Sequence, residues 1–173
     1  MGVETQTLRP NGAGSYNQIL YPTYLYAGKY HWEIVSNQAL EGASYPVHDE
    51  RTAYYVDTYA LPNPMRKGAV TNVRVYMTCQ GRPRYSYFKT VIYNGSSLQY
   101  GSEQGSSAWT NFYTDYATNP WTGNPWTWDE LDALQAGVAV KAGSSTYAEC
   151  GEVWVEVTSV VASGSGQIIG LGL

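Results

Sequence analysis

The stretch from Asn119 to Ala142, NPWTGNPWTWDELDALQAGVAVKA, is where the sequence changes from a turn-rich loop to a helical pattern and then to an alternating strand. Thr127, followed three residues later by Glu130, is a capping-box signature. It predicts one short helix at 128–136, ended by Gly137 in the left-handed conformation. Because a helix of two turns is not stable alone, we expect it to cover one end of a structure built from strands.

The remaining sequence is typical of antiparallel strands. Apolar and polar side chains alternate along 68–79, with Val73, Val75, Met77 and Cys79 on one face. They alternate again along 152–161, with Val153, Val155 and Val157 facing inward and Glu152, Trp154 and Glu156 facing outward. Asn94-Gly95 predicts a hairpin with a type I′ turn. Further strands are predicted at 5–9, 31–37, 52–59 and 108–116, and a turn at 10–15.

About eight strands without a regular alternation of strands and helices indicate an all-β protein. The expected fold is a two-sheet antiparallel β-sandwich of the jelly-roll type, with a closed β-barrel as the alternative. The 17 tyrosines, 6 tryptophans and 18 glycines agree with strands and turns. With 173 residues in total, the chain is expected to form one β-sandwich domain at 1–161.

Residues 162–173 differ in composition from the domain. ASGSG at 162–166 is typical of a flexible tether, and QIIGLGL at 167–173 is apolar and uncharged. The candidate assembly residues in this tail are Gln167, Ile168, Ile169, Leu171 and Leu173. Such a tail is expected to dock on its own domain or to pair with another chain, and we favour the second.

The charge of the chain argues against a nucleic-acid partner, because the net charge is −4 and the basic residues are not clustered. No apolar stretch approaches the length of a membrane span, and the first residues do not form a secretory signal. Synthesis in a cytoplasm is therefore expected. Cys79 and Cys150 are predicted to remain free thiols, because Cys150 is out of phase with the valines that follow it. A bulge at Gly151 could restore the register.

No catalytic site is predicted. The sequence contains no motif for a nucleophile elbow, a phosphate loop, a dinucleotide site or a zinc protease, and we expect neither enzymatic activity nor a cofactor. His31 is interpreted as a packed or surface ring. Asp49, Glu50 and Asp57 could supply oxygen ligands to calcium, but their spacing matches no calcium loop and no metal site is predicted.

The tryptophans are the strongest candidates for a binding surface. They are Trp109, Trp121, Trp126, Trp128 and Trp154. Such side chains could stack on the sugar rings of a host glycan, or they could form a protein interface. The absence of a secretory signal favours a protein partner, since glycan-binding modules usually act outside the cell.

Several segments carry a family resemblance: TLRPNGAG (7–14), DERTAYYVDTYAL (49–61), GAVTNVRVYMTC (68–79), NPWTGNPWTWDELDALQAGV (119–138) and VWVEV (153–157). In these segments the chain resembles β-sandwich modules of tailed-phage virion proteins and phage-like environmental sequences. The resemblance implies a non-enzymatic structural protein that repeats on a virion, as head decoration, neck, tail or fibre. It further implies contacts with other virion subunits, including copies of the same chain, and it supplies no catalytic residues.

Overall fold

The computed structural model of the protein describes residues 1–19, 30–36, 47–49, 51–82, 86–143 and 147–162. In chain order its elements are β1 (Gly2–Leu8), β2 (Gly12–Asn17), α1 (His31–Val35), β3 (Val47–Asp49), β4 (Tyr55–Ala60), β5 (Ala69–Arg82), β6 (Tyr87–Tyr93), β7 (Leu98–Tyr100), β8 (Thr110–Tyr116), α2 (Trp128–Asp132), β9 (Gln135–Lys141) and β10 (Tyr147–Val161).

The strands form two antiparallel sheets of five strands each. Sheet I has the order β1-β10-β5-β8, with β3 also paired to β10, and sheet II has the order β2-β4-β9-β6-β7. After β4 the chain crosses between the sheets, placing β5, β8 and β10 in sheet I and β6, β7 and β9 in sheet II. This is the jelly-roll order. The predicted sandwich is confirmed, and the strands that are described do not close into a barrel.

The core lies between the sheets and follows the predicted alternation. The side chains of Val73, Val75, Met77 and Cys79 in β5 and of Val153, Val155 and Val157 in β10 are fully buried. Val138 and Val140 of β9 pack in the same cluster as Met77, Cys79 and Val153. Removing this apolar surface from water is the main stabilising contribution of the sandwich.

The capping box predicted at Thr127 is confirmed. The backbone N–H of Glu130 donates to Thr127 Oγ1 at 3.3 Å, and the backbone N–H of Thr127 donates to Glu130 Oε2 at 2.8 Å. The predicted extent of the helix, 128–136, is wrong because α2 ends at Asp132. The following residues instead pair with β4 and β6 as the central strand of sheet II.

Gly137 lies inside β9 and does not terminate the helix. It faces Thr58 of β4, and a Cβ built at this position would lie 1.9 Å from the backbone oxygen of Asp57. Glycine is therefore required here by the close approach of two strands, not by a left-handed backbone.

Two other segments differ from their predicted structure. The segment predicted as a strand at 31–37 contains helix α1, whose Ile34 and Val35 are buried against the sandwich. The run predicted as a turn at 10–15 contains most of strand β2, which pairs with β4. In both segments tertiary contacts override weak local preferences.

The two cysteines are in phase, because the alternative considered for the sequence, a bulge at Gly151, is the one observed. A bulge between Cys150 and Glu152 shifts the register of β10, so Cys150 lies directly opposite Cys79. Both are buried free thiols, and burial raises the pKa of Cys79. Glu152, predicted to face outward, is only 4% exposed.

The hairpin predicted at Asn94-Gly95 is confirmed, but its turn is longer than predicted. Tyr93 pairs with Leu98, which leaves the four residues from Asn94 to Ser97 in the loop. Asn94 Oδ1 accepts hydrogen bonds from the backbone N–H groups of Ser96 and Ser97 at 3.0 and 2.9 Å. The two-residue type I′ turn is therefore wrong.

Candidate functional site

Three of the candidate tryptophans form a tryptophan cap, defined here as Trp121, Trp126 and Trp128, at one end of the sandwich. Trp126 is 4% exposed, and its Nε1 donates to the backbone oxygen of Tyr116 at 2.9 Å. The Trp121 ring packs edge-on against it, with centroids 6.3 Å apart. Trp128 Nε1 donates to the backbone oxygen of Gly68 at 2.9 Å. These rings pack on the core cluster with α2 and do not form an open stacking platform.

The other two tryptophans lie elsewhere. Trp109 covers the bulge at Gly151, since a Cβ built on that glycine would lie 3.2 Å from the indole ring. Trp154 projects from the outer face of sheet I, on the side of β10 opposite the buried valines. The five predicted tryptophans therefore do not share one surface.

Trp154 belongs to a row of side chains that crosses sheet I. It lies directly opposite Tyr76 of β5, which lies opposite Tyr113 of β8. The rings of Trp154 and Tyr76 are stacked with centroids 4.5 Å apart, and those of Tyr76 and Tyr113 are tilted at 5.7 Å. The Arg9 guanidinium carbon lies 5.5 Å from the centroid of the Trp154 ring. We call Arg9, Trp154, Tyr76 and Tyr113 the aromatic row.

A neighbouring pair of charges supports the aromatic row. Arg74 donates to both carboxylate oxygens of Asp115, from Nε at 2.7 Å and from Nη2 at 2.8 Å. Its guanidinium carbon lies 4.4 Å from the centroid of the Tyr113 ring. The hydrogen bonds from Arg74, with a further one from Asn72, hold the pKa of Asp115 below its usual value. Tyr76 Oη donates to Glu156 at 3.1 Å.

The aromatic row is both ordered by its own contacts and available to a partner. Tyr113 is 54% exposed, while the rings of Tyr76 and Trp154 are partly buried by one another. Exposed Trp, Tyr and Arg side chains are enriched in protein interfaces and at their energetic centres.

Sequence reasoning identified Trp154 but missed Arg9, Tyr76 and Tyr113 as its neighbours. The alternation along 68–79 does place Tyr76 on the outer face. That pattern contains no information about which strands lie on either side of β5. The row forms because β8 and β10 are the two neighbours of β5.

His31 and Asp57 form a buried polar contact between α1 and β4. His31 Nδ1 bonds to Asp57 Oδ2, and Asp57 Oδ1 accepts from the backbone N–H groups of Gln18 and Ile19 at 2.7 and 2.9 Å. Asp57 is fully buried. Its oxygens are thus used in holding α1 and the end of β2 on the sandwich, which is a structural role.

Both carboxylate oxygens of Asp57, one of the three residues considered as calcium ligands, are occupied by these protein contacts. Asp49 lies in β3, while Glu50 and the tail at 167–173 lie outside the described residues. Within the described ranges, no group of three or more His, Cys, Asp or Glu residues could hold a metal ion. No helix in those ranges is long and apolar enough to cross a membrane.

No protein-family model and no curated protein matches the chain. Among solved structures, a carbohydrate-binding module, TmCBM61 in complex with β-1,4-galactotriose, is similar at 11% sequence identity and a TM-score of 0.38. That match covers 65% of this chain and 70% of the other.

Proposed function

We propose that the protein is a non-enzymatic structural subunit that repeats on a phage-like particle and acts through contacts with other subunits, copies of itself included. The observation that carries the proposal is the aromatic row, an ordered set of Trp, Tyr and Arg side chains on the outer face of sheet I. The resemblance of the sequence to virion modules is the reason for proposing a phage-like particle.

The geometry of the row favours a protein partner over a small ligand. Its rings stack on one another, and Arg74 is already bonded to Asp115, so a sugar ring would find no gap between them. A protein surface can instead cover the whole row at once. Rings that are already ordered lose little conformational freedom on binding, which favours such an interface.

The longest of the segments that carry the resemblance supports a structural role. Residues 119–138 build the tryptophan cap, helix α2 and the start of β9, so they close the sandwich and pack its core. A carbohydrate-binding role for these tryptophans has no comparable support, because Trp126 is buried. The apolar tail at 167–173 remains part of the proposal as a second contact element.

The test is self-association of the full chain, measured by sedimentation velocity over a range of concentrations. We expect association that is lost in Tyr113→Ser, because this substitution removes the most exposed ring of the row. Tyr100→Ser is the matched control, since Tyr100 is also exposed but lies in sheet II. A wild-type protein that stays monomeric throughout, or equal association of both variants, would contradict the proposal.

A further inference from the structure

The outer face of sheet II, opposite the aromatic row, contains a groove of about 350 Å³. Its floor is formed by Val56 of β4, which packs in a buried cluster with Val91 of β6 and Ala139 of β9. Tyr16 and Leu98 pack against this floor from β2 and β7. The volume falls within the range typical of ligand sites, and nothing in the proposed function uses it.

Tyrosine rings form the walls of this tyrosine groove. Tyr16 packs edge-on against Tyr93, with ring centroids 5.4 Å apart. Tyr54 also lines the groove, and its Oη donates to Glu103 at 2.5 Å. Tyr100 is 45% exposed at the β7 end. Rings held in this way offer apolar faces to a ligand with hydroxyl groups close by.

The rim of the groove is rich in hydrogen-bond donors. Gln18 accepts from the backbone N–H of Val56 through Oε1 at 3.1 Å, which fixes its amide and leaves the amide NH₂ available. Lys89 Nζ lies 4.6 Å from the centroid of the Tyr54 ring and has no carboxylate partner among the described residues. Lys141 lies over the same ring, but its Nζ is 3.9 Å from Glu103.

This arrangement is complementary to negative charge although the chain as a whole has a net charge of −4. Lys89 forms no ion pair among the described residues and lies at the edge of the apolar floor. A carboxylate placed there would gain a charge-assisted hydrogen bond, while the rest of its ligand packs on the tyrosines.

A peptide fits the groove less well than a saccharide. The floor strands β4, β9 and β6 are each paired on both sides, so their backbone groups are not available for strand addition. A saccharide needs no backbone partners, since its C–H faces pack on aromatic rings and its oxygens accept from side chains.

We propose that the tyrosine groove binds an oligosaccharide that carries carboxylate groups. The sugar rings pack on Tyr16 and Tyr100, and a carboxylate accepts hydrogen bonds from Lys89, whose ammonium group lies over the Tyr54 ring. This site would give the subunit a recognition role in addition to its assembly role, on the opposite face of the same sandwich.

The experiment is a glycan array carrying uronate-containing, sialylated and neutral oligosaccharides, with an acidic glutamate peptide as an additional probe. The strongest binder is then titrated calorimetrically against the full-length protein. We expect saturable binding of a carboxylate-bearing glycan. Lys89→Met should weaken it on the order of tenfold, which corresponds to about 1.4 kcal/mol. Tyr100→Ser should weaken it as well.

Tyr113→Ser is the control, because it changes only the opposite face and should leave glycan affinity unchanged. The inference is overturned if no glycan binds, if only the acidic peptide binds, or if Lys89→Met leaves the affinity for the bound glycan unaltered. Melting curves of each variant verify that the domain is folded. A wild-type protein that binds the glycan but stays monomeric at every concentration would contradict the assembly role alone.

Discussion

The two outer faces of the sandwich differ because the central strands of the two sheets present side chains of different size. In sheet I, β5 presents Arg74 and Tyr76, which fill the face and bond to their cross-strand neighbours. In sheet II, β9 presents the small residues Gly137 and Ala139, which are buried, and the groove on this face is lined by Val56, Leu98 and the rings of Tyr16, Tyr54 and Tyr100. The same fold thus offers a filled face suited to a protein and a concave face suited to a smaller ligand.

Gly137→Ala should have the largest effect and should act on sheet II. The added Cβ would lie 1.9 Å from the backbone oxygen of Asp57, so β4 and β9 would have to separate. We expect the free energy of unfolding to fall by about 3 kcal/mol or more, measured by chemical denaturation. In the control Gly12→Ala, also in sheet II, the new Cβ makes an ordinary 3.5 Å contact with Ala60. Equal stability of the two variants would show that a Cβ at position 137 can be accommodated between β4 and β9.

Trp154→Ala tests whether the filled face stabilises the fold. The substitution removes a ring stacked 4.5 Å from that of Tyr76, and we expect a loss of about 2 kcal/mol in thermal or chemical unfolding. Tyr113→Ala, at the exposed end of the same row, should cost only about 0.5 kcal/mol. If Tyr113→Ala lowered the free energy of unfolding more than Trp154→Ala, the stacking of Trp154 on Tyr76 would not be the main stabilising contact of the row.

A matched pair of cation substitutions compares the faces directly. Arg74→Met removes the two-point contact with Asp115 and should cost about 1 kcal/mol, the upper end for a surface ion pair. Lys89→Met removes a cation without a carboxylate partner among the described residues, and should change stability by less than about 0.5 kcal/mol. Denaturation of both variants in one buffer gives the comparison. A larger loss for Lys89→Met would mean that the groove cation has a structural role.

The smallest effect concerns the titration of Asp115. Hydrogen bonds from Arg74 lower its pKa below the ordinary value of 3.8. Because the folded-state pKa is the lower one, the stabilisation from this pair is present above about pH 4 and is lost as the pH falls through the folded-state pKa. Carbon-detected NMR should place the Asp115 midpoint below 3.8, and Arg74→Met should move it upward. An unmoved midpoint would indicate that the pair is not formed in solution.

The features that could be predicted from the sequence depend on near neighbours in the chain. Val73, Val75 and Met77 alternate with polar residues because one face of β5 is buried, and this period identifies a strand wherever it packs. The capping box at Thr127 likewise needs only residues within one helical turn. The all-β class and the sandwich followed from such local patterns.

The predictions that were wrong required knowledge of residues distant in the chain. His31 begins a helix, where a strand was predicted, and its ring bonds to Asp57. Cys150 meets Cys79 because of a bulge that the alternation of apolar residues did not reveal. Gly137 allows β4 to lie close to β9, and it does not terminate α2.

Local sequence patterns were sufficient to identify most strands, the capping box and the burial of the valines, because side chains that alternate with a period of two bury one face of any sheet. Which strands are neighbours depends on long-range contacts in the folded chain. Strand order placed Trp154 beside Tyr76 and Tyr113, and it brought Val56 of β4, Tyr16 of β2 and Leu98 of β7 into one groove. Both candidate surfaces are therefore products of long-range pairing, which local periodicity does not encode.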